Sequence, residues 1–269
     1  MGMILERPAV ASTVIDRIED GVWSGADDQV AVEVPIALVY NDHSHAVMMA
    51  TPRDLEDFAC GFSIAEGLVE SVDEVLAVRP APRGAGYSLA IDIPDERGKA
   101  IAGRARSMAG RTGCGLCGIA DIAQAMRPLP MTPDSDPVRL EALSRALSAL
   151  PAAQVLNRET GALHAAAFAA GDGELLLVRE DVGRHNALDK VIGAAARAGL
   201  DPASGFIVVT SRCSMEMVQK TATFGCPILV AISGPTSLAI ELADRSNLTI
   251  AAFARGSRIN LYTHPQRVA

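Results

Sequence analysis

Aromatic side chains are scarce in this sequence: they make up 4% of its 269 residues, with a single tryptophan. So few rings leave little for stacking on nucleic-acid bases, and the interior has to be aliphatic and alanine-rich. Positive charge is scarce as well. Lys and Arg number 24 against 32 Asp and Glu, a formal net charge of −8. That balance argues against a general binder of nucleic acid or of anionic membranes. No apolar run is long enough to cross a bilayer. The start, M-G-M-I-L-E-R-P, has no basic stretch followed by an apolar one, so no secretory signal is expected. The cysteines are five, an odd number with no framework of spacings, which suits a reducing cytoplasm.

What is present points to a well-packed globular chain. Hydrophobic residues make up 49% and charged residues 21%, and the length supports a large core in one or two domains. Residues 1–29 are mixed and polar and carry no pattern. Residues 30–40 and 46–50 read as a hairpin joined by a polar loop, 41–45, that holds His43 and His45. Thr51-Pro52-Arg53-Asp54 reads as a helix start with a Thr cap, followed by Leu55, Phe58, Ala59, Phe62 and Ala65 at helical spacing. Cys60 falls within that helix. Two short strands follow, near 74–78 and 87–93. This first part, 1–105, is expected to be a small α+β unit.

The remainder, 106–269, starts with a cysteine loop at 111–121, R-T-G-C-G-L-C-G-I-A-D. Cys114 and Cys117 sit among glycines, just before an apolar helical pattern. A thiol at a helix N-terminus is favoured as thiolate, the nucleophilic form. A lone C-x-x-C also fits half a zinc site, a dithiol pair or two small buried residues. The zinc option lacks a second half: Cys60, Cys213 and Cys226 are scattered, and there is no H-x-x-x-H pair. A proline-rich linker, 128–137, and an amphipathic helix, 138–150, come next. Strands and helices then alternate to the end, as in a partly parallel sheet covered by helices on both faces.

Ligands of such sheets bind where the carboxyl ends of strands meet helix N-termini. Four loops there are rich in polar residues: 160–164 with His164, 179–190 with Asp181, Arg184 and His185, 210–214 with Arg212, and 233–237, where Pro235 reads as first-turn helix. Capping by Asp181 or Asn186 would explain part of the second loop, though not Arg184 and His185 together. After Asp244 there is no acid, while Arg255, Arg258 and Arg267 follow. That is the local basic patch a phosphate-bearing ligand needs in an acidic protein.

Six blocks occur in order: C-G-L-C-G from Cys114, G-A-L-H-A-A-A from Gly161, E-D-V-G-R-H-N-A-L-D-K from Glu180, E-M-V-Q-K from Glu216, P-T-S-L-A-I-E-L-A from Pro235 and N-L-Y-T-H-P-Q-R from Asn260. Together they resemble the formate dehydrogenase accessory sulfurtransferase family, FdhD. The resemblance implies a cytidine deaminase-like fold for the C-terminal part. It implies a cytoplasmic protein, expected as a homodimer, that accepts sulfur from a cysteine desulfurase as a cysteine persulfide. The sulfur then goes to a bis-molybdopterin guanine dinucleotide molybdenum cofactor, destined for formate dehydrogenase. By position Cys114 matches the persulfide cysteine. Phe253, Ala254, Arg255, Gly256, Ser257 and Arg258 match the cofactor-binding segment, for which GDP is a fragment probe. Cys117 could support release by exchange or protect Cys114 as a disulfide, and Cys213 could be an extra thiol near the ligand. No structural metal is expected. A zinc deaminase is a poor rival, because none of the five histidines is followed two residues on by Glu and Gly113 stands where its P-C-x-x-C needs Pro. A cofactor-holding chaperone that moves no sulfur is the other rival.

Overall fold

Residues 8–105, 128–255 and 258–269 are described by the computed structural model. The chain begins with an arm. β1 (Val10–Glu19) and β2 (Val22–Ala31) pair along their whole length around Asp20-Gly21, whose φ angles are 50° and 81°. Asp-Gly is a favoured two-residue hairpin turn because both positions are left-handed. The arm joins neither larger sheet. Its strands are exposed on both faces, so they carry no apolar alternation, and Asp20-Gly21 is the one local signal for them.

β3 (Val34–Tyr40), β4 (His43–Ala50), β5 (Ala77–Arg83) and β6 (Gly86–Asp92) form a four-stranded sheet ordered β4-β3-β6-β5. In β3, Val34, Ile36, Leu38 and Tyr40 are buried and alternate with half-exposed residues. That period of two turns one face onto α1 (Leu55–Ala65). The turn between β3 and β4 is shorter than the sequence suggests. Asn41 and Asp42 alone make it, at φ 45° and 65°, and Asn41 is anchored by both its amide atoms to Ile93 at 2.9 Å. His43 and His45 therefore lie in β4. His45 packs edge-on to Tyr40 and Phe62, with ring centroids 5.4 and 6.0 Å away. Thr51 does not cap α1 either: the cap position is Asp54, in the left-handed region and without a side-chain bond. α2 (Asp95–Ala105) follows β6.

The larger sheet has six strands ordered β12-β11-β10-β9-β7-β8. They are β7 (His164–Ala170), β8 (Leu175–Asp181), β9 (Gly205–Val209), β10 (Ile228–Ala231), β11 (Thr249–Arg255) and β12 (Arg258–Leu261). Its central strands β9 and β10 read as unbroken apolar runs because both faces are covered. Ala165, Ala167, Phe206, Val208, Ile228 and Val230 face α3 (Leu140–Ala153). Ala166, Phe168, Ile207, Val209, Leu229 and Ile250 face the opposite way, into one core with α1, α5 (Arg184–Arg197), α6 (Met215–Phe224), α7 (Ser237–Arg245) and the buried face of the four-stranded sheet. A short helix, α4 (Val155–Thr160), leads into β7 and lies against β2. Glu180 accepts the backbone N–H groups of Leu156 and Asn157 at 2.9 and 2.8 Å, an acid placed at the start of α4. Mixed α/β architecture with helices on both faces of the larger sheet is thus as expected. No helix among the described residues is long and apolar enough to cross a membrane.

The two sheets are joined through α1 and α5. A Cβ on Gly61 would lie 1.7 Å from the carbonyl oxygen of Asp189, and one on Gly193 would lie 1.9 Å from that of Asp57. Only glycine lets the backbones approach this closely. Ion pairs flank the crossing. Asp57 on α1 binds Arg179, with its Oδ2 2.8 Å from a guanidinium nitrogen, and Arg197. Lys220 on α6 reaches Asp189 at 2.9 Å and Glu66 at 2.7 Å. Burial works against the Lys220 ammonium, but Asp189 and Glu66 outweigh it and keep the lysine charged. Burial pushes the Asp189 carboxyl up to about 6, against the pull of Lys220.

Candidate functional site

Strand direction decides where the polar loops meet. β9, β10 and β11 are parallel, and β8 runs with them because β8 and β9 are both antiparallel to β7. The carboxyl ends of β8 to β11 therefore share an edge with His164, the first residue of β7, and Arg258, the first of β12. All four polar loops of the sequence arrive at this edge.

Backbone bonds tie the loops together. Thr210 N–H donates to Ala165 O at 3.0 Å, and Thr210 Oγ1 accepts from Ala165 N–H at 3.0 Å. Cys213 N–H donates to Gly234 O at 3.2 Å, and Thr236 N–H donates to Cys213 O at 3.0 Å. Phe253 N–H donates to Ser233 O at 3.1 Å, and Arg255 Nε to Ile232 O at 3.2 Å. Phe253 sits at φ 50° where the β11–β12 register shifts, and its ring lies over Gly234, where a Cβ would be 2.6 Å away. The ring stays 41% exposed, so it offers an apolar face at the rim. Neither α5 nor α6 has a side-chain cap, whereas Thr236 caps α7 by accepting Ala239 N–H at 3.3 Å. Pro235 thus precedes the cap and is not in the first helical turn. Uncapped first turns leave backbone N–H groups for an anion.

The side chains divide by saturation. His185 Nε2 lies 3.1 Å from Glu216 Oε2, and Ser214 Oγ donates to the same oxygen at 2.9 Å. The His185 bond leads in holding the Glu216 carboxyl down to about 2, against its partial burial. His164 Nδ1 is 3.4 Å from Thr210 Oγ1. Burial first, then Arg184 and His185, push the His164 imidazole below its ordinary value. Arg184 Nε is enclosed and has no hydrogen-bond partner among the described residues. Arg212, Arg255 and Arg258 are exposed.

Asp181 goes the other way. Its carboxylate is wholly enclosed and accepts from Thr51 N–H at 3.0 Å, Gly183 N–H at 2.8 Å and Asn186 Nδ2 at 2.9 Å, with Lys190 Nζ at 2.7 Å. Thr51 also accepts Lys190 Nζ on its carbonyl at 3.0 Å and Val182 N–H on its hydroxyl at 3.2 Å. The structure assigns Asp181 to this interior junction, where nothing of it is left for a ligand. Ala254 is buried in the core facing α3. Cys114, Cys117, Gly256 and Ser257 lie outside the described residues. Cys213 is wholly buried, and burial pushes its thiol up to about 12, so it is no ligand-side nucleophile. Cys226 is likewise pushed to about 12 and Cys60 to about 11. Among the described residues no group of three or more His, Cys, Asp or Glu is placed to hold a metal ion. Sequence reasoning gave no site role to Glu216 or to Thr210 itself, and read Thr51 only as a helix cap. For Glu216 the available signal was an acid two residues past Ser214, at the start of an apolar helix.

The FdhD/NarQ family model matches residues 31–269. The chain belongs to that family. Among FdhD/NarQ relatives, the sulfur carrier protein FdhD of Variovorax paradoxus is 49% identical over 241 residues, covering 90% of this chain and 87% of its own. The protein of the same name from Bordetella petrii is 45% identical, covering 97% and 95%. That from Xanthomonas axonopodis pv. citri is 48% identical, covering 97% and 93%. A crystal structure of a proposed formate dehydrogenase accessory protein from Desulfotalea psychrophila superposes with a TM-score of 0.77 at 26% identity, over 97% of this chain and 100% of that one.

Proposed function

We propose that this FdhD/NarQ protein is a sulfur carrier for formate dehydrogenase. It takes sulfur from a cysteine desulfurase onto Cys114 and passes it to a bis-molybdopterin guanine dinucleotide molybdenum cofactor, bound as substrate at the loop edge. It works in the cytoplasm as a homodimer. The observation that carries the reading is the edge itself. In a protein of net charge −8, one sheet edge gathers two helix N-termini without side-chain caps, an Arg184 Nε with no partner among the described residues, and the exposed Arg212, Arg255 and Arg258. Pyrophosphate is recognised by such backbone N–H groups and guanidinium forks. The names of the relatives supply the sulfur half of the reading.

Loading is a thiol exchange. The Cys114 thiolate attacks the terminal sulfur of the donor's persulfide, the donor's S–S bond breaks, and the donor cysteine leaves as thiolate. Cys60, Cys213 and Cys226 are buried with raised thiols, which leaves the C-x-x-C pair for this role. Incubation with a cysteine desulfurase and cysteine, followed by peptide mass spectrometry, is the test. One extra sulfur atom on Cys114, released by cyanide as thiocyanate, is the expected result. GDP binding without any thiocyanate would make the protein a cofactor-holding chaperone instead.

A further inference from the structure

Glu216 and His185 come from the first turns of two different helices, α6 and α5. Each side chain is only 13% exposed, and they meet at 3.1 Å between Oε2 and Nε2. A carboxylate this close to an anion site would repel the ligand unless its charge is answered by the protein. Here it is answered twice, by His185 and by Ser214 Oγ at 2.9 Å. The ionised Glu216 can only accept, so His185 Nε2 carries a proton in either state of the ring. The second ring nitrogen, Nδ1, has no partner among the described residues. It accepts when the ring is neutral and donates when the ring is protonated.

The other charged groups around this imidazole are accounted for. Arg184 precedes it on α5 with Nε unpartnered among the described residues, and His164 stands at the start of β7. Asp181, at the end of β8, is taken up by Thr51, Gly183, Asn186 and Lys190. Asp189, one turn further along α5, is taken up by Lys220. Glu216 is the one acid bonded to the ring among the described residues.

We propose that Glu216 is a positioning residue of the loop edge: it fixes His185 so that Nδ1 is presented as a donor to an anionic oxygen of the phosphate class. The inference rests on reading the edge as a site for a phosphate-bearing cofactor. It adds that anion affinity depends on the donor that His185 presents, and that Glu216 holds that donor in place. Arg184 supplies the permanent charge and His185 the titratable one.

The test is GDP binding by calorimetry between about pH 6 and about pH 8, with histidine ring NMR on the same proteins. In the wild type, affinity should fall as pH rises between these limits. Glu216→Gln keeps the size and an acceptor but loses the charge. Affinity near neutral pH should drop about fivefold and the midpoint of both profiles should move about one unit lower. Glu216→Asp should restore part of the profile, and Ser214→Ala should shift it slightly in the direction opposite to Glu216→Gln, because the carboxylate then has His185 alone to answer it, which keeps the question open to measurement if the Gln variant does not fold. A merely structural Glu216 would lower the unfolding midpoint and leave the pH profile where it was, and that result would overturn the proposal. A wild type that binds no GDP would overturn the cofactor reading of the edge and this inference with it, while normal GDP binding with an unmoved profile sinks this inference alone.

Discussion

Residues 179–190 feed two polar regions that look alike in sequence and differ in saturation. On the inner side, Asp181, Asn186, Asp189 and Lys190 are buried, and their charges are met within the chain by Thr51 and Lys220 or by one another. On the outer side, Arg184 Nε has no partner among the described residues, the first turn of α5 is uncapped and His185 uses one ring nitrogen. A crowd of charged residues is thus no evidence of a site by itself. A carboxylate with all its lone pairs engaged is scaffold, whereas an enclosed guanidinium with an idle N–H calls for an explanation.

The sharpest way to break the contrast is to open the inner region. Lys190→Met leaves the enclosed Asp181 carboxylate without its counter-charge, and should cost ~3–5 kcal/mol, seen as a lower urea midpoint. Stability close to wild type would mean that the inner region is not the saturated one. Lys220→Met should cost about 3 kcal/mol at about pH 8 and clearly less at about pH 5. Burial raises the folded-state pKa of Asp189 to about 6, above its unfolded value, and loss of Lys220 raises it further. The acid can then take up a proton at low pH, and the penalty returns as pH rises through that range. An equal loss at both pH values would mean Asp189 does not titrate there.

Smaller effects should come from the outer region. Arg255→Ala and Arg258→Ala should each weaken GDP binding about tenfold to hundredfold, with urea midpoints unchanged, since each removes an exposed charge-assisted contact. Unchanged calorimetric affinity would move the site off this edge. The smallest effect is expected at Cys213. Cys213→Ala should leave persulfide loading intact, and alkylation of the native protein should spare Cys60, Cys213 and Cys226, as peptide mass spectrometry can show. Rapid labelling of Cys213 would return that thiol to the ligand side.

Much of the larger sheet was legible because burial on both faces writes itself as continuous apolar strands, as in 206–209 and 228–231. The four-stranded sheet was legible through the alternation of Val34, Ile36, Leu38 and Tyr40. The arm was not, because strands exposed on both sides have no pattern to show. Thr51 resembles a cap in sequence, and only the packing of Asp181 against it across 130 positions gives it a different task. The same holds for Glu216, whose partner lies 31 positions earlier on another helix. Arg184 and His185 were found as candidates because they follow a strand and open a helix. Asp181 has the same address and the opposite orientation, which no local rule distinguishes.

The crossing of α1 and α5 at Gly61 and Gly193 has a mechanical consequence. With backbone against backbone there is no compliant side chain between the two helices to absorb a displacement. A tilt of α5, whose first turn carries Arg184 and His185, is therefore also a tilt of α1 and of the four-stranded sheet packed on it. The joint has no slack, so a ligand pulling on the loop edge pulls on the opposite wall of the protein too.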